Sequence, residues 1–153
     1  MSDHRPSPDV EPLPDARVIV LTTLWNRRIV DRLLDGVRGR LGELQIDFEV
    51  HDVPGAYELP TAATWATQKA DAVIGLGCVI RGATPHFEYV AGNCSRGLME
   101  VSLATQVPVI FGVLTVETED QALDRSGGEH GHVGIEAADA AASMIRLRRK
   151  LTS

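Results

Sequence analysis

Apolar positions along this chain follow two alternating rhythms. Short runs of aliphatic and β-branched residues have the length and composition of strands: "RVIVLTT" from Arg17, "IDFEVHDV" from Ile46, "ADAVIGLGCVI" from Ala70 and "VPVIFGVLTV" from Val107. Between them the apolar spacing widens to three and four. "RRIVDRLLDGVRGRL" carries Ile29, Leu33, Val37 and Leu41 on one helical stripe, and the segment after Thr84 carries Phe87, Val90, Ala91, Cys94, Leu98 and Val101 on another. "YELPTAATWATQKA" reads as a helix whose Pro60 fits only the first turn, and Trp65 within it belongs to the core or to an interface. "ETEDQALDR" and "IEAADAAASMIRLRRKL" read as two further helices, separated by the glycine-rich and flexible "SGGEHGHVG".

Strands that alternate with helices predict parallel pairing, because a parallel crossover needs a connection of helix length. The continuous apolar run of the third strand fits burial on both faces. The expected fold is therefore α/β: a three-layer α/β/α sandwich of flavodoxin-like type around a four-stranded parallel sheet. Residues 1–15, "MSDHRPSPDVEPLPD", hold four of the eight prolines and little apolar material, so they predict a flexible Pro-rich arm ahead of one domain over 16–153.

Composition narrows the function. A formal charge of −6 argues against nucleic acid as a partner, since no basic field exists to neutralise a phosphate backbone. No apolar run approaches the ~20 residues of a membrane helix and no cationic segment leads an apolar one, so a cytoplasmic protein without a membrane partner is expected. Cys78 and Cys94 read as reduced packing residues. Lys69 and Lys150 are the only lysines, so arginine must carry any recognition of phosphate.

Ligands of open α/β sheets bind beyond the carboxyl ends of the strands. Trp25 and Asn26 follow the first strand there, Gly55 to Glu58 the second, Arg81 to His86 the third, and Phe111 to Thr115 lie in the fourth. Thr84 is placed to cap a helix with Pro85 at its first position, so backbone N–H groups of that turn, led by Gly82 and Ala83, can hold a phosphate. A neutral imidazole at His86 can accept a proton and return it. Arg125, at the end of a short helix, suits a second phosphate clamp, although a solvated arginine neutralising the helix end is an equal reading. His4 and His51 read as surface or packing residues, and the "HGH" pair with Glu129 is weak evidence for a metal because no third well-spaced ligand accompanies it.

"LWNR", "VPGAYELP", "GCVIRGATPHFEYV", "PVIFGVLTVET" and "QALDRSGG" occur in this order, and together they resemble the lumazine synthase family over nearly everything after the arm. The resemblance implies a transferase that condenses 5-amino-6-(D-ribitylamino)uracil with 3,4-dihydroxy-2-butanone 4-phosphate, releasing phosphate and water, without cofactor or metal. It assigns proton transfer to His86. It gives Trp25 the stacking position on the pyrimidine ring, and Ala56, Tyr57 and Glu58 the ring and ribityl site. Cys78, Val79 and Ile80 would offer backbone contacts, Ala83 and Thr84 the phosphate turn, Phe111 a wall and Arg125 the phosphate clamp. It also implies a homo-oligomer built from pentamers, in which Phe111 and Arg125 serve the neighbour's Trp25 and His86. Two departures stand out: Glu129 and Val133 occupy a loop that often carries lysines, and Trp25 stands where phenylalanine is commoner.

Overall fold

The computed structural model describes Asp9 and residues 11–153; His4 and most of the expected arm lie outside the described residues. Four strands, β1 (Arg17–Thr23), β2 (Asp47–Val53), β3 (Ala72–Ile80) and β4 (Val109–Val116), form one sheet in the order β2-β1-β3-β4. All three pairings are parallel, with Val20 opposite Val50 and Ile74, and Gly75 opposite Phe111. The expected flavodoxin-like sandwich is therefore the observed one.

Five helices cover the sheet: α1 (Arg27–Glu43), α2 (Leu59–Ala66), α3 (His86–Thr105), α4 (Glu119–Asp124) and α5 (Val133–Thr152). Side chains alternate across a strand, so each strand feeds two cores. Val18, Val20, Ile74, Leu76 and Leu114 pack beneath α1 and α5, while Ile19, Leu21, Val73 and Val113 pack beneath α2 and α3. β3 is buried from Ala72 to Cys78, as its unbroken apolar run requires. Each fully buried leucine or isoleucine contributes roughly 1.5–3 kcal/mol of transfer free energy.

The segment before Ala16 does not float free where it is described. Leu13 packs against the α1 side of the core and its N–H donates to Leu44 O at 2.8 Å, while Arg149 holds Asp15 at 3.1 Å. The glycine-rich loop also has form. Ser126–Gly128 (β5) and Gly131–His132 (β6) pair as a small antiparallel hairpin, and α5 begins directly after it, two residues earlier than its apolar pattern suggests.

α5 lies close to α1 because its buried stripe is Gly134, Ala137, Ala138, Ala141 and Ala142, closed by Ile145. A Cβ at Gly134 would stand 2.2 Å from Leu33 O, a backbone atom that cannot swing away. Gly39 of α1 faces no atom within 4 Å. Two alanine substitutions should therefore have opposite signs. Gly134→Ala should cost about 3 kcal/mol by overpacking, and Gly39→Ala should gain about 0.5–1 kcal/mol by reducing backbone entropy. Urea unfolding at one fixed protein concentration reads both, and equal effects would contradict the tight α1–α5 approach.

Candidate active site

The carboxyl edge of the sheet is built around the gap between β1 and β3. β1 ends at Thr23, and Leu24 N donates to Val53 O at 3.2 Å, keeping the β1 and β2 exits together. The chain then turns through Asn26, whose φ of 54° and ψ of 44° are left-handed, and α1 starts. Asparagine is among the few residues with a Cβ that visit this region readily. Its Nδ2 donates to Cys78 O at 2.8 Å, which bridges the two strands at the switch point.

Trp25 sits beside this tie with 73% of its surface exposed. A Cβ at Gly55 would lie 3.4 Å from Trp25 Cδ1 and 3.1 Å from Glu58 Oε2, so the indole and the carboxylate flank the same bare backbone. Ala56–Glu58 form one 3-10 turn ahead of α2, with Ala56 buried and Tyr57 and Glu58 exposed. Pro60 falls within the first two positions of α2, as expected. The structure thus brings Trp25 and the Gly55–Glu58 loop together. Trp65 is 67% exposed on α2, which rules out the core of this chain and leaves the interface reading.

At the end of β3, Cys78 is buried and Val79 and Ile80 are half-buried, with backbones registered against Thr115 and Val116. Burial pushes the Cys78 thiol up to about 11 and the Cys94 thiol up to about 12, so both stay protonated and inert at neutral pH. Gly82, Ala83, Thr84 and Pro85 are exposed, and His86 opens α3 on the surface. The helix starts one position later than expected. Pro85, not Thr84, takes the cap position, with φ −71° and ψ 3°, and no side chain caps the helix. No side-chain oxygen competes for the first-turn N–H groups, of which Glu88 N donates to Pro85 O at 3.0 Å, and those before it suit an anion.

Arg81 proves structural. Its guanidinium meets Glu88 Oε1 at 2.6 Å and Glu117 Oε1 at 3.0 Å and stacks over Phe87 at 4.5 Å. It therefore staples the β3 exit to the first turn of α3 and the end of β4. Phe111, 41% exposed, lies opposite Gly75 on the edge strand β4, on the same face as Val109 and Val113. Five residues separate that level from Ile80, roughly 16 Å along a strand. Arg125 follows α4, and its Nη1 donates to Gln121 O at 3.2 Å. Among the described residues no contact joins Phe111 or Arg125 to Trp25 or His86, so one chain does not bring these expected site residues together.

The hairpin histidines also part company. His132 is packed against Gly36, Gly127 and Gly134 and caps α5, its Nδ1 accepting from Ile135 N at 3.3 Å. Burial first, then the Arg32 charge, holds the His132 pKa below its ordinary value of 6.5, against the raising effects of the Arg32 backbone and Glu136. His130 instead lies out on the turn, 3.8 Å from Asp124. His51 is an exposed residue paired with Glu49, as anticipated.

An open parallel sheet with an exposed indole, a helix start free of any side-chain cap and an exposed imidazole at one edge has the layout of an α/β protein that takes its ligand beyond the strand ends. Residues 15–149 match the family 6,7-dimethyl-8-ribityllumazine synthase. The chain is 47% identical over 144 residues to the 6,7-dimethyl-8-ribityllumazine synthase of Edwardsiella ictaluri, covering 90% of this chain and 92% of that one. It is 47% identical over 150 residues to that of Xanthomonas oryzae pv. oryzae, covering 94% and 96%, and 45% identical over 148 residues to that of Streptomyces coelicolor, covering 92% of each. The chain belongs to the 6,7-dimethyl-8-ribityllumazine synthase family.

Two expected outcomes follow from this geometry. Asn26→Ala should cost about 1–3 kcal/mol, because it orphans Cys78 O and forces a Cβ-bearing residue without a local hydrogen bond into the left-handed region. Asn26→Gly, which frees the backbone, should cost less; denaturant midpoints that reverse this order would contradict the tie. For His132 the folded-state pKa is depressed, so the unfolded chain binds the extra proton first. With a chelator present, stability should fall as pH drops below the unfolded value near 6.5 and level off below the folded pKa. His132→Asn keeps a cap and should flatten this portion of the profile; identical slopes for the two proteins across about pH 5 to 7 would refute the assignment.

Proposed function

We propose that this chain is a 6,7-dimethyl-8-ribityllumazine synthase of riboflavin biosynthesis, and that His86 carries its proton transfers. The observation that carries the site assignment is an exposed imidazole on the first turn of an uncapped α3, at the same sheet edge as the Trp25–Gly55–Glu58 cluster. The pyrimidine ring stacks on Trp25, and Glu58 with the Ala56–Tyr57 backbone receives its polar edge. The backbones of Cys78, Val79 and Ile80 line the floor. The phosphate of the four-carbon ketone rests on the Ala83–Thr84 turn.

The substrate's own amine attacks the ketone, water leaves as the imine forms, phosphate departs, and ring closure expels a second water. The nucleophile is the substrate's nitrogen, so no enzyme lysine is needed. Holding the two reactants in one cleft can remove roughly 7–11 kcal/mol of barrier at best, and proton relay by His86 adds about 10²–10⁴-fold.

We further propose that the second part of the site comes from a neighbouring copy in a ring of five. The surface of α3 supports this reading: of its 20 residues only Cys94 and Leu98 are buried, while Tyr89, Met99 and Leu103 stand exposed with Trp65 of α2 nearby in the same layer. A soluble chain rarely leaves such a face uncovered. Phe111 and Arg125 of one copy then complete the cleft of the next.

Turnover assays with both substrates test the two proposals separately. His86→Ala should lower kcat by about 10²–10⁴-fold with the oligomer intact, and Arg125→Ala should raise KM for the phosphorylated ketone. Co-refolding these two variants should restore part of the lost activity, because some clefts in mixed rings receive a wild-type half from each. Normal turnover in His86→Ala sinks the catalytic assignment; no recovery in verified mixed oligomers sinks the shared site.

A further inference from the structure

We propose that Asp124, Glu129 and His130 form a binding site for a first-row transition-metal dication such as zinc, where the β5–β6 hairpin folds over the end of α4. One ligand atom from each of the three lies within 4.8 Å of the others, and His130 Nδ1 stands 3.8 Å from Asp124 Oδ2. Bonds of about 2.0–2.2 Å around a tetrahedral ion place ligand atoms roughly 3.3–3.6 Å apart. Closing the triad on an ion therefore needs movement of about an ångström at side-chain tips.

The backbone already holds the ligands in place. His130 N donates to Asp124 O at 2.9 Å, locking the turn to the helix end. Gly128 permits that approach, since a Cβ there would meet Asp124 Cα at 2.7 Å. The donor set also selects the ion. Two carboxylates supply charge, while one imidazole favours zinc, cobalt or nickel over calcium and magnesium, which take oxygen donors. The turn is exposed, so water completes the coordination.

The sequence offered His130 and His132 as the pair. The fold half-buries His132 as a helix cap and substitutes Asp124, six residues before His130, as the partner. Asp124 directly precedes Arg125, so this site borders the second part of the cleft proposed above, and zinc binding by its three side chains does not depend on that assignment.

Calorimetric titration of zinc into the untagged oligomer tests it, read together with anomalous scattering at the zinc edge from zinc-soaked crystals. Saturable binding of about one zinc per chain is expected, with a peak among the three side chains. Glu129→Gln and His130→Ala should each weaken binding at least tenfold, since even loss of an outer-shell partner costs about 10–100-fold. His51→Ala, beside Glu49 on β2, should leave this site unchanged. Absence of saturable binding, an affinity unaltered in both hairpin variants, or a peak elsewhere overturns the proposal.

Discussion

The bond from Asn26 Nδ2 to Cys78 O is the constraint on which the carboxyl edge depends. β1 and β3 are neighbours whose chains leave for opposite faces, β1 into α1 and β3 toward α3. That divergence opens the crevice in which sheets of this kind bind ligands, and nothing in strand pairing itself fixes the crevice's width. Asn26 does so with one side chain, because it combines tolerance of left-handed backbone with a donor long enough to reach across. Trp25 is held just before it and Cys78 supplies the acceptor, so the exits of β1 and β3 share one anchor.

Charge at this edge is distributed by the same economy of position. Arg27 is tied to Asp31 and Asp52, Arg28 to Glu119, and Arg81 to Glu88 and Glu117. Exposed pairs of this sort are worth about 0–1 kcal/mol each, so their main effect is to hold loops and cancel charge. Arg125 differs in kind. Its guanidinium rests on a neutral carbonyl, and no carboxylate meets it among the described residues. An arginine with its charge uncompensated is the type of group a phosphate needs, and the fixed positions of the others leave few rivals near the rim.

The four strands, the parallel three-layer arrangement and most strand-end residues could be read from the sequence, since burial on two faces writes continuous apolar runs for strands and three-to-four spacing for helices. The Gly55–Glu58 loop was legible because it follows the carboxyl end of the second strand, where open α/β sheets bind ligands; the close approach of the Trp25 ring and the Glu58 carboxylate to Gly55 was not. Long-range ties were not. Asn26 and Cys78 are 52 residues apart, and neither pattern nor composition links them. Thr84 looked like a cap because threonine before proline fits local preference, yet the turn runs one residue further. The loop after Arg125 looked flexible from its glycines, although those glycines let the hairpin fold tightly over α4 and around His132. Trp65 stayed open between core and interface for another reason: helical periodicity tells which residues share a face, not whether that face meets the chain's own core or another molecule.

That last ambiguity bears on how the site and the assembly are related. Phe111 stands on an edge strand, five residues below the rim, and α3 fully buries only Cys94 and Leu98 while Tyr89, Met99 and Leu103 stand exposed. In an isolated chain both features are liabilities, since an exposed edge and an apolar face invite unspecific association. In a ring of identical copies each becomes complementary to something the neighbour lacks. On the proposed shared cleft, catalysis and assembly would rest on the same buried surface, so a chain that assembles wrongly would also lose the second half of its cleft, and the apolar face of α3 would be retained for chemistry as much as for stability.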